Sequence, residues 1–302
     1  MKKILLEVVL LAFLFAASWY FLLTEYDYKV TFKTTKAPGV VYNTLVGWNN
    51  WEPTSKKVVT IISKKPFSEI SQNLKITDSI FNIKWIIQRE SDSITKVTAL
   101  LKDTEHRFIQ KLKVPFTKTN FVKRGINTVK KIRKGLKRHE EDYKISSIEK
   151  GVFPAQNFAY ITLTGQQHEK AKLMIANTLR IMEYIRGNNI ELIGEPFLEV
   201  TKWDQQKDQI TFDFCFPIAK RTSYPKSEIV KIKSTQKRDA LKTMFYGNYK
   251  ISDRAWFTLL HYAERKNIAI QALPIEVFLD DPHSGGNDLE WRAEVYLPIK
   301  NN

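Results

Sequence analysis

Arg292-Ala-Glu294-Val-Tyr296-Leu-Pro298-Ile299, near the C-terminus, echoes an earlier run, Thr211-Phe-Asp213-Phe-Cys215-Phe-Pro217-Ile218. In both, an acid stands four residues before a proline that is followed by isoleucine, inside an alternating run that reads as a strand. The two prolines are 81 residues apart. A second echo precedes each copy: Glu195-Pro196-Phe-Leu-Glu-Val200 and Leu273-Pro274-Ile-Glu-Val277, with prolines 78 residues apart. Helical patterns lie upstream of these, and before each helix Gly165 or Gly247 closes a further apolar run. Echoes in one fixed order read as two copies of strand, helix, strand, strand.

Alternate residues of a strand face the same way. Asp213 and Cys215 therefore share a face, opposite Phe212, Phe214 and Phe216. Glu294 and Tyr296 share a face, opposite Val295 and Leu297. Alternation leaves two readings open: the acids face water while the apolar residues fill the core, or they face an interior pocket.

The stretch from about Phe153 to Ile299 resembles the gyrase-inhibitor-like, or transcription-activator effector-binding, domain. The resemblance is carried by Ala159-Tyr160 before Gly165, by Ile210–Ile218, by Pro274-Ile-Glu-Val-Phe-Leu-Asp-Asp-Pro282 and by Arg292–Ile299. It implies a duplicated module enclosing a pocket for apolar, often cationic, small molecules, with an acid near the centre answering the ligand's charge. Glu294 is the acid so implied, beside Tyr296, with Asp213 as its shorter counterpart. Tyr160, Trp203, Phe245, Tyr249 and Trp256 are candidate aromatic walls for a cation, each equally suited to a core. Some relatives are thought to hydrolyse strained electrophiles with a Glu base and a Tyr. Glu294 as general base is thus the enzymatic alternative, although no catalytic residue is assigned. Cys215 has no adjacent His and reads as a quiet strand thiol.

The formal charge of +16 is unevenly spread. Residues 1–145 hold 27 Lys and Arg against 13 acids, whereas residues 146–302 hold 21 against 19. A basic first half points to phosphate-bearing partners or to a solvated surface. One cysteine excludes an intrachain disulfide, and the five scattered histidines show no metal-ligand spacing. Gly-rich phosphate loops and a Gly-x-Ser-x-Gly elbow are absent, so neither a metal nor a cofactor is expected.

At the N-terminus, Ile4 to Leu23 is apolar except for Glu7, and Trp19 and Tyr20 suit a membrane interface. Twenty helical residues reach about 30 Å, the thickness of a bilayer core. Ala16-Ala17-Ser18 would suit a cleaved signal peptide, but the apolar run continues past it, which favours an uncleaved anchor. Lys2 and Lys3 place the N-terminus inside and the soluble part outside the cytoplasm, whereas Lys29, Lys33 and Lys36 pull the other way.

Beyond the anchor, Tyr28–Lys33 reads as a strand, and Pro38 opens a short helix ending in Gly47-Trp48-Asn-Asn-Trp51-Glu-Pro53. Strand-like runs follow at 58–62, 68–76, 80–89, 94–101 and 107–114. A helix from about Asn120 to Arg138 then places Val122, Ile126, Val129, Ile132 and Leu136 on one stripe. Its other sides carry eight Lys or Arg from Lys123 to Arg138 and no acid, a face suited to anionic headgroups. This order is similar to that of START-like, or polyketide-cyclase-like, domains, which implies a helix-grip sheet and raises lipid handling as a further alternative. His139–Gly151 reads as a linker, and Asp280–Asp288 as a flexible loop. The fold class expected is α+β, with residues 1–27 an anchor, 28–145 START-like and 146–302 effector-binding. The whole reads as a membrane-anchored small-molecule-binding protein of bacterial type, for which nucleic acid is not the expected partner.

Overall fold

The structure, a computed structural model, describes residues 2–50, 57–76, 79–91, 94–138, 142–282 and 285–300. It is α+β, with curled antiparallel sheets, and divides into two compact units, Met1–Leu136 and Lys137–Asn302.

The first unit begins with α1 (Lys2–Ser18), which continues as a π-helical turn, Trp19–Leu23. The segment Ile4–Leu23 has a mean hydropathy of 2.2 and is long and apolar enough to cross a membrane. Next come β1 (Tyr28–Thr34), α2 (Pro38–Val46), β2 (Lys57–Lys65), β3 (Glu69–Ile76), β4 (Ser79–Ser91), β5 (Ile94–Asp103), α3 (Arg107–Lys113) and α4 (Asn120–Arg138). The strands form one antiparallel sheet in the order β1-β5-β4-β3-β2. Trp51 to Pro53 lie outside the described residues.

The stripe read along α4 is the buried one: Val122, Val129, Ile132 and Leu136 pack in one cluster with Ile70, Leu74, Ile83 and Leu101 of the sheet. Trp85 is fully buried there, and its indole N–H donates to Gln72 Oε1 at 2.8 Å. The Gln72 amide donates in turn to the Leu45 carbonyl at 2.8 Å, so these core polar atoms are paired. Gly125 sets how close α4 comes: a Cβ there would stand 2.4 Å from Leu101 Cδ2.

Two expectations need correcting. The run 107–114, expected as a strand, holds the helix α3 instead. The Asp103 carboxylate accepts from the N–H groups of Glu105 and His106 at 3.0 and 2.9 Å, turning the chain out of β5. Arg107 and Lys111, one helical turn apart, then both donate to the Thr24 carbonyl, at 2.6 and 2.8 Å. A boundary after residue 27 would therefore cut a hydrogen-bonded clamp. The second correction concerns 139–151. From 142 onward this segment supplies β6 (Tyr143–Ile145) and most of β7 (Glu149–Phe153), which pair with the second unit's sheet.

That sheet also holds β8 (Gln156–Gln166), β9 (Phe197–Asp204), β10 (Gln209–Pro217), β11 (Lys231–Thr235), β12 (Arg238–Gly247), β13 (Ile275–Phe278) and β14 (Arg292–Pro298). The order is β11-β8-β10-β9-β13-β14-β12-β6, with β7 also on β12. Helix α5 (Lys170–Gly187) follows β8, and α6 (Asp253–Arg265) follows β12. Gly247, at φ +149°, lets β12 pass Tyr143, whose Cβ would stand 2.9 Å from an added one. One face of the sheet packs on the helices through Ile161, Phe212, Val295 and Leu297. Phe153, Phe158, Phe197, Cys215 and Tyr296 form a second cluster on the opposite face.

Gly125→Val is expected to loosen the first unit, since overpacking a filled core costs about 1–3 kcal/mol. Hydrogen exchange of peptides from α4 should quicken relative to wild type. Unchanged exchange would show that α4 does not depend on this close approach.

Candidate functional site

On the helix face of the second unit, a cavity of about 620 Å³ opens between α5 and the ends of β10 and β13. Its α5 wall is Ala171, Met174, Ile175, Thr178 and Met182. These residues form the inner stripe of the helix, but the sheet does not cover them all. Ala171 and Met174 are buried, while Ile175 is 56% exposed. Phe214 and Phe216 form the floor, their rings 5.0 Å apart and edge to face.

The facing wall is aromatic. Tyr249 lies 4.9 Å from Phe278 and 5.9 Å from Trp291, centroid to centroid. Its hydroxyl donates its one proton to the Arg292 carbonyl at 2.7 Å, with the Asp280 carbonyl 3.1 Å away, and accepts from the Asp280 N–H at 3.2 Å. Burial pushes the Tyr249 phenol well above its usual pKa, so it stays neutral. The wall is thus pinned by backbone bonds. At the rim stand Arg186, Glu195, Lys250, Asp280 and Asp281. Asp280 is committed to Arg292, which donates to it from Nε and Nη2, both at 3.0 Å. That pairing holds the Asp280 carboxyl below its usual range.

A buried polar group sits beside the α5 wall. Lys170, at the start of α5, is fully buried, and its ammonium donates to the Tyr249 carbonyl and to Ser252 Oγ, both at 2.6 Å. It lies 3.4 Å from Glu276 Oε2, which also accepts from Ser252 at 2.8 Å. Burial pushes the Glu276 carboxyl up in pKa, and Lys170 opposes that shift. Ser252 stands at the N-cap of α6 yet makes no side-chain cap there.

Of the candidate site residues named from sequence, only Tyr249 lines this cavity. Glu294 and Tyr296 do share a face, but it is the face away from the helices. There Glu294 pairs with Lys242 at 2.6 Å and accepts from the Tyr296 hydroxyl at 2.5 Å. Burial raises the Glu294 pKa, but Lys242 and Tyr296 outweigh it and hold the carboxyl below its usual value. Asp213 lies on that face too, accepting from Thr162 at 2.7 Å, and burial raises its pKa. Tyr160 packs there against Phe158, with centroids 5.8 Å apart. Glu199, beside Asp213 in register, is paired with Arg238 at 2.7 Å. These acids already have cationic or hydroxyl partners, and Glu294 and Asp213, expected to face a pocket, do not line this cavity.

The remaining aromatics are core. Trp256 and Phe245 are fully buried, Phe245 stacked on Tyr143 at 5.8 Å, and Trp203 packs edge-on to Trp256 at 5.4 Å. Sequence reasoning missed Phe278 and Trp291 as walls and Glu276 as a buried acid. A signal existed for Glu276: an acid between Ile275 and Val277 in a run with apolar residues on both faces. Among the described residues, no His, Cys, Asp and Glu group could hold a metal ion.

The profile of the GyrI-like small molecule binding domain matches residues 147–300. The chain belongs to that family. No curated protein matches the sequence. Among solved structures, the GyrI-like chain is similar to the EcmrR C-terminal domain at 15% identity and a TM-score of 0.43, covering 53% of this chain and 99% of that one. A hydrolase from Listeria innocua is 13% identical with a TM-score of 0.33, covering 51% and 92%. SAV2435 bound to tetraphenylphosphonium is 12% identical with a TM-score of 0.33, covering 52% and 95%. The GyrI-like assignment makes small-molecule binding the property of residues 147–300, which include the whole cavity.

Replacing Lys170 with Met leaves Glu276 buried without its counter-charge. Breaking such a pair costs about 3–5 kcal/mol. Urea unfolding followed by tryptophan fluorescence should show that loss, and Lys170→Met with Glu276→Leu should recover most of it. A single variant as stable as wild type would show that the pair does not hold α5 in place.

Proposed function

We propose that this protein binds apolar, ring-bearing small molecules in the cavity between α5 and the Tyr249–Phe278–Trp291 wall. The observation that carries the proposal is an aromatic cavity of about 620 Å³ inside the family-matched residues. Its size falls within the ~300–1,000 Å³ range of ligand sites, and its apolar, aromatic walls with polar groups at the rim are their usual composition. Glu195 and Asp281 at the rim suit a ligand whose positive charge stays near solvent while its rings enter. In this reading Tyr249 is the ligand-binding member of the residues first named, and Glu294 with Asp213 stabilises the opposite face.

Hydrolysis by Glu294 is the weaker reading. A general base works best with a pKa near the operating pH, and Lys242 holds this carboxyl in the other direction. We read the β8-α5-β9-β10 and β12-α6-β13-β14 segments as two copies of one module. The sequence echoes support this, as do the mirrored strand orders β8-β10-β9 and β13-β14-β12. The first unit we read as a START-like helix-grip domain, on the order of its strands and the long α4. Trp48 and Trp85, 6.4 Å apart, fill space beneath its helices, which favours a structural role over lipid carriage. The segment Ile4–Leu23 is the proposed membrane anchor, on its length and hydropathy.

Phe278→Ala or Trp291→Ala should weaken binding of an aromatic dye about tenfold or more, since an aromatic wall contributes about 1.5–3 kcal/mol by burial. Glu294→Gln should leave affinity unchanged for cationic and neutral dyes alike. Equilibrium dialysis of detergent-solubilised protein against a dye panel measures both. Loss of cation binding in Glu294→Gln, with both wall variants unaffected, would move the site to the opposite face.

A further inference from the structure

Helix α3 and the residues after it show large apolar side chains to solvent. Phe108 is 67% exposed, Phe116 86%, and Ile109 and Leu112 nearly half. Scattered exposed apolar residues are ordinary, but a contiguous group of this size marks a surface that meets something. The chain shows where this one sits. The Phe108 ring lies 6.1 Å from that of Phe21, at the end of the Ile4–Leu23 segment, where Trp19, Leu22 and Leu23 are also exposed.

The join is rigid. Lys111, on α3, is only 2% exposed, and its ammonium donates to the carbonyls of Tyr20, Phe21 and Thr24 at 2.8, 3.1 and 2.8 Å. Thr24 Oγ1 stands 3.0 Å from the same ammonium, a fourth oxygen around its three protons, and the Tyr20 hydroxyl donates back to the Lys111 carbonyl at 3.1 Å. The last carbonyls of a helix otherwise turn to water or lipid headgroups. Here a side chain of α3 takes them, with Arg107 on Thr24 as a second donor. Asp27 completes the clamp, accepting from the Asp103 N–H at 2.9 Å and standing 3.5 Å from Arg107 Nε. Wherever the end of the N-terminal helix lies, α3 lies beside it.

We propose that α3 and Phe116 enter the boundary between lipid headgroups and acyl chains, as a second, shallow membrane contact beside the N-terminal helix. The inference rests on the reading of Ile4–Leu23 as a membrane-spanning helix. A span of 20 residues reaches about 30 Å, so Trp19–Leu23 stands at one interface and brings α3 to the same depth. The side chains suit that depth. Phe108 and Phe116 supply rings that enter the apolar layer, and the exposed Lys113 and Lys118 flank Phe116, where their stems can lie along acyl chains with the ammonium groups among phosphates. The first unit is then held at the bilayer surface by two elements instead of swinging on one.

The test uses the full-length protein in phosphatidylcholine–phosphatidylglycerol vesicles, with an environment-sensitive thiol label at Leu11→Cys, Phe116→Cys or Thr35→Cys. Cys215 is fully buried and does not compete for label, and Thr35 is exposed just past the far end of β1. Lipids carrying nitroxide at shallow or deep acyl positions are the quenchers. The label at Phe116 should be quenched by shallow nitroxide severalfold more than that at Thr35, and the label at Leu11 by deep nitroxide. Quenching at Leu11 with Phe116 no different from Thr35 would overturn the α3 contact while leaving the anchor intact. A blue-shifted Phe116 label without lipid quenching would overturn it too, in favour of a protein partner or a second copy. No quenching at Leu11 would overturn the anchor reading and this inference together.

Discussion

A lysine ammonium sealed from water sets the shape of the second unit. Lys170 lies at the first residue of α5, and its three protons have nowhere to go but the Tyr249 carbonyl, Ser252 and Glu276. A buried charge without partners is costly, so the helix start, the turn before α6 and strand β13 are held in one arrangement. From this point α5 runs along the sheet with its inner stripe only partly covered. The uncovered part, opposite a Tyr249 ring that the same turn positions, is the cavity wall.

The two faces of this sheet do different work. The helix face seals Lys170 and Glu276 beside the start of α5 and leaves an aromatic hollow whose charged groups stand at the rim. The opposite face distributes its acids in local pairs, Glu294 with Lys242, Asp213 with Thr162 and Glu199 with Arg238. A carboxylate already met by a lysine at 2.6 Å gains little from a ligand's cation, because binding must first displace that lysine. An aromatic hollow whose charged groups stand at its rim faces no such competition. The site's attraction for ligands rests on burial of apolar surface.

Much of the second unit was legible in its sequence. The alternation in 292–299 correctly paired Glu294 with Tyr296 and set both against Val295 and Leu297. Which face held the cavity was not legible, because residues of both faces are buried along β10, from Phe212 to Pro217. Periodicity reports that a residue faces inward, not how much space it meets there. Trp291 and Phe278 were missed for that reason, since their role depends on how the turn holding Tyr249 stands relative to α5. In the first unit, α4 was plain from its stripe, while α3 is too short for its period to show. Its helical form follows from Asp103 and from partners in the segment before β1, contacts that no local window contains.

The account turns on which face receives the ligand, and a crystal structure of the protein with a bound aromatic compound decides that. The account predicts density for the ligand's rings between Met174 and Met182 on one side and Phe278 and Trp291 on the other, with Glu294 still on Lys242. Density on the opposite face, with the Glu294–Lys242 pair opened around the ligand, would contradict it.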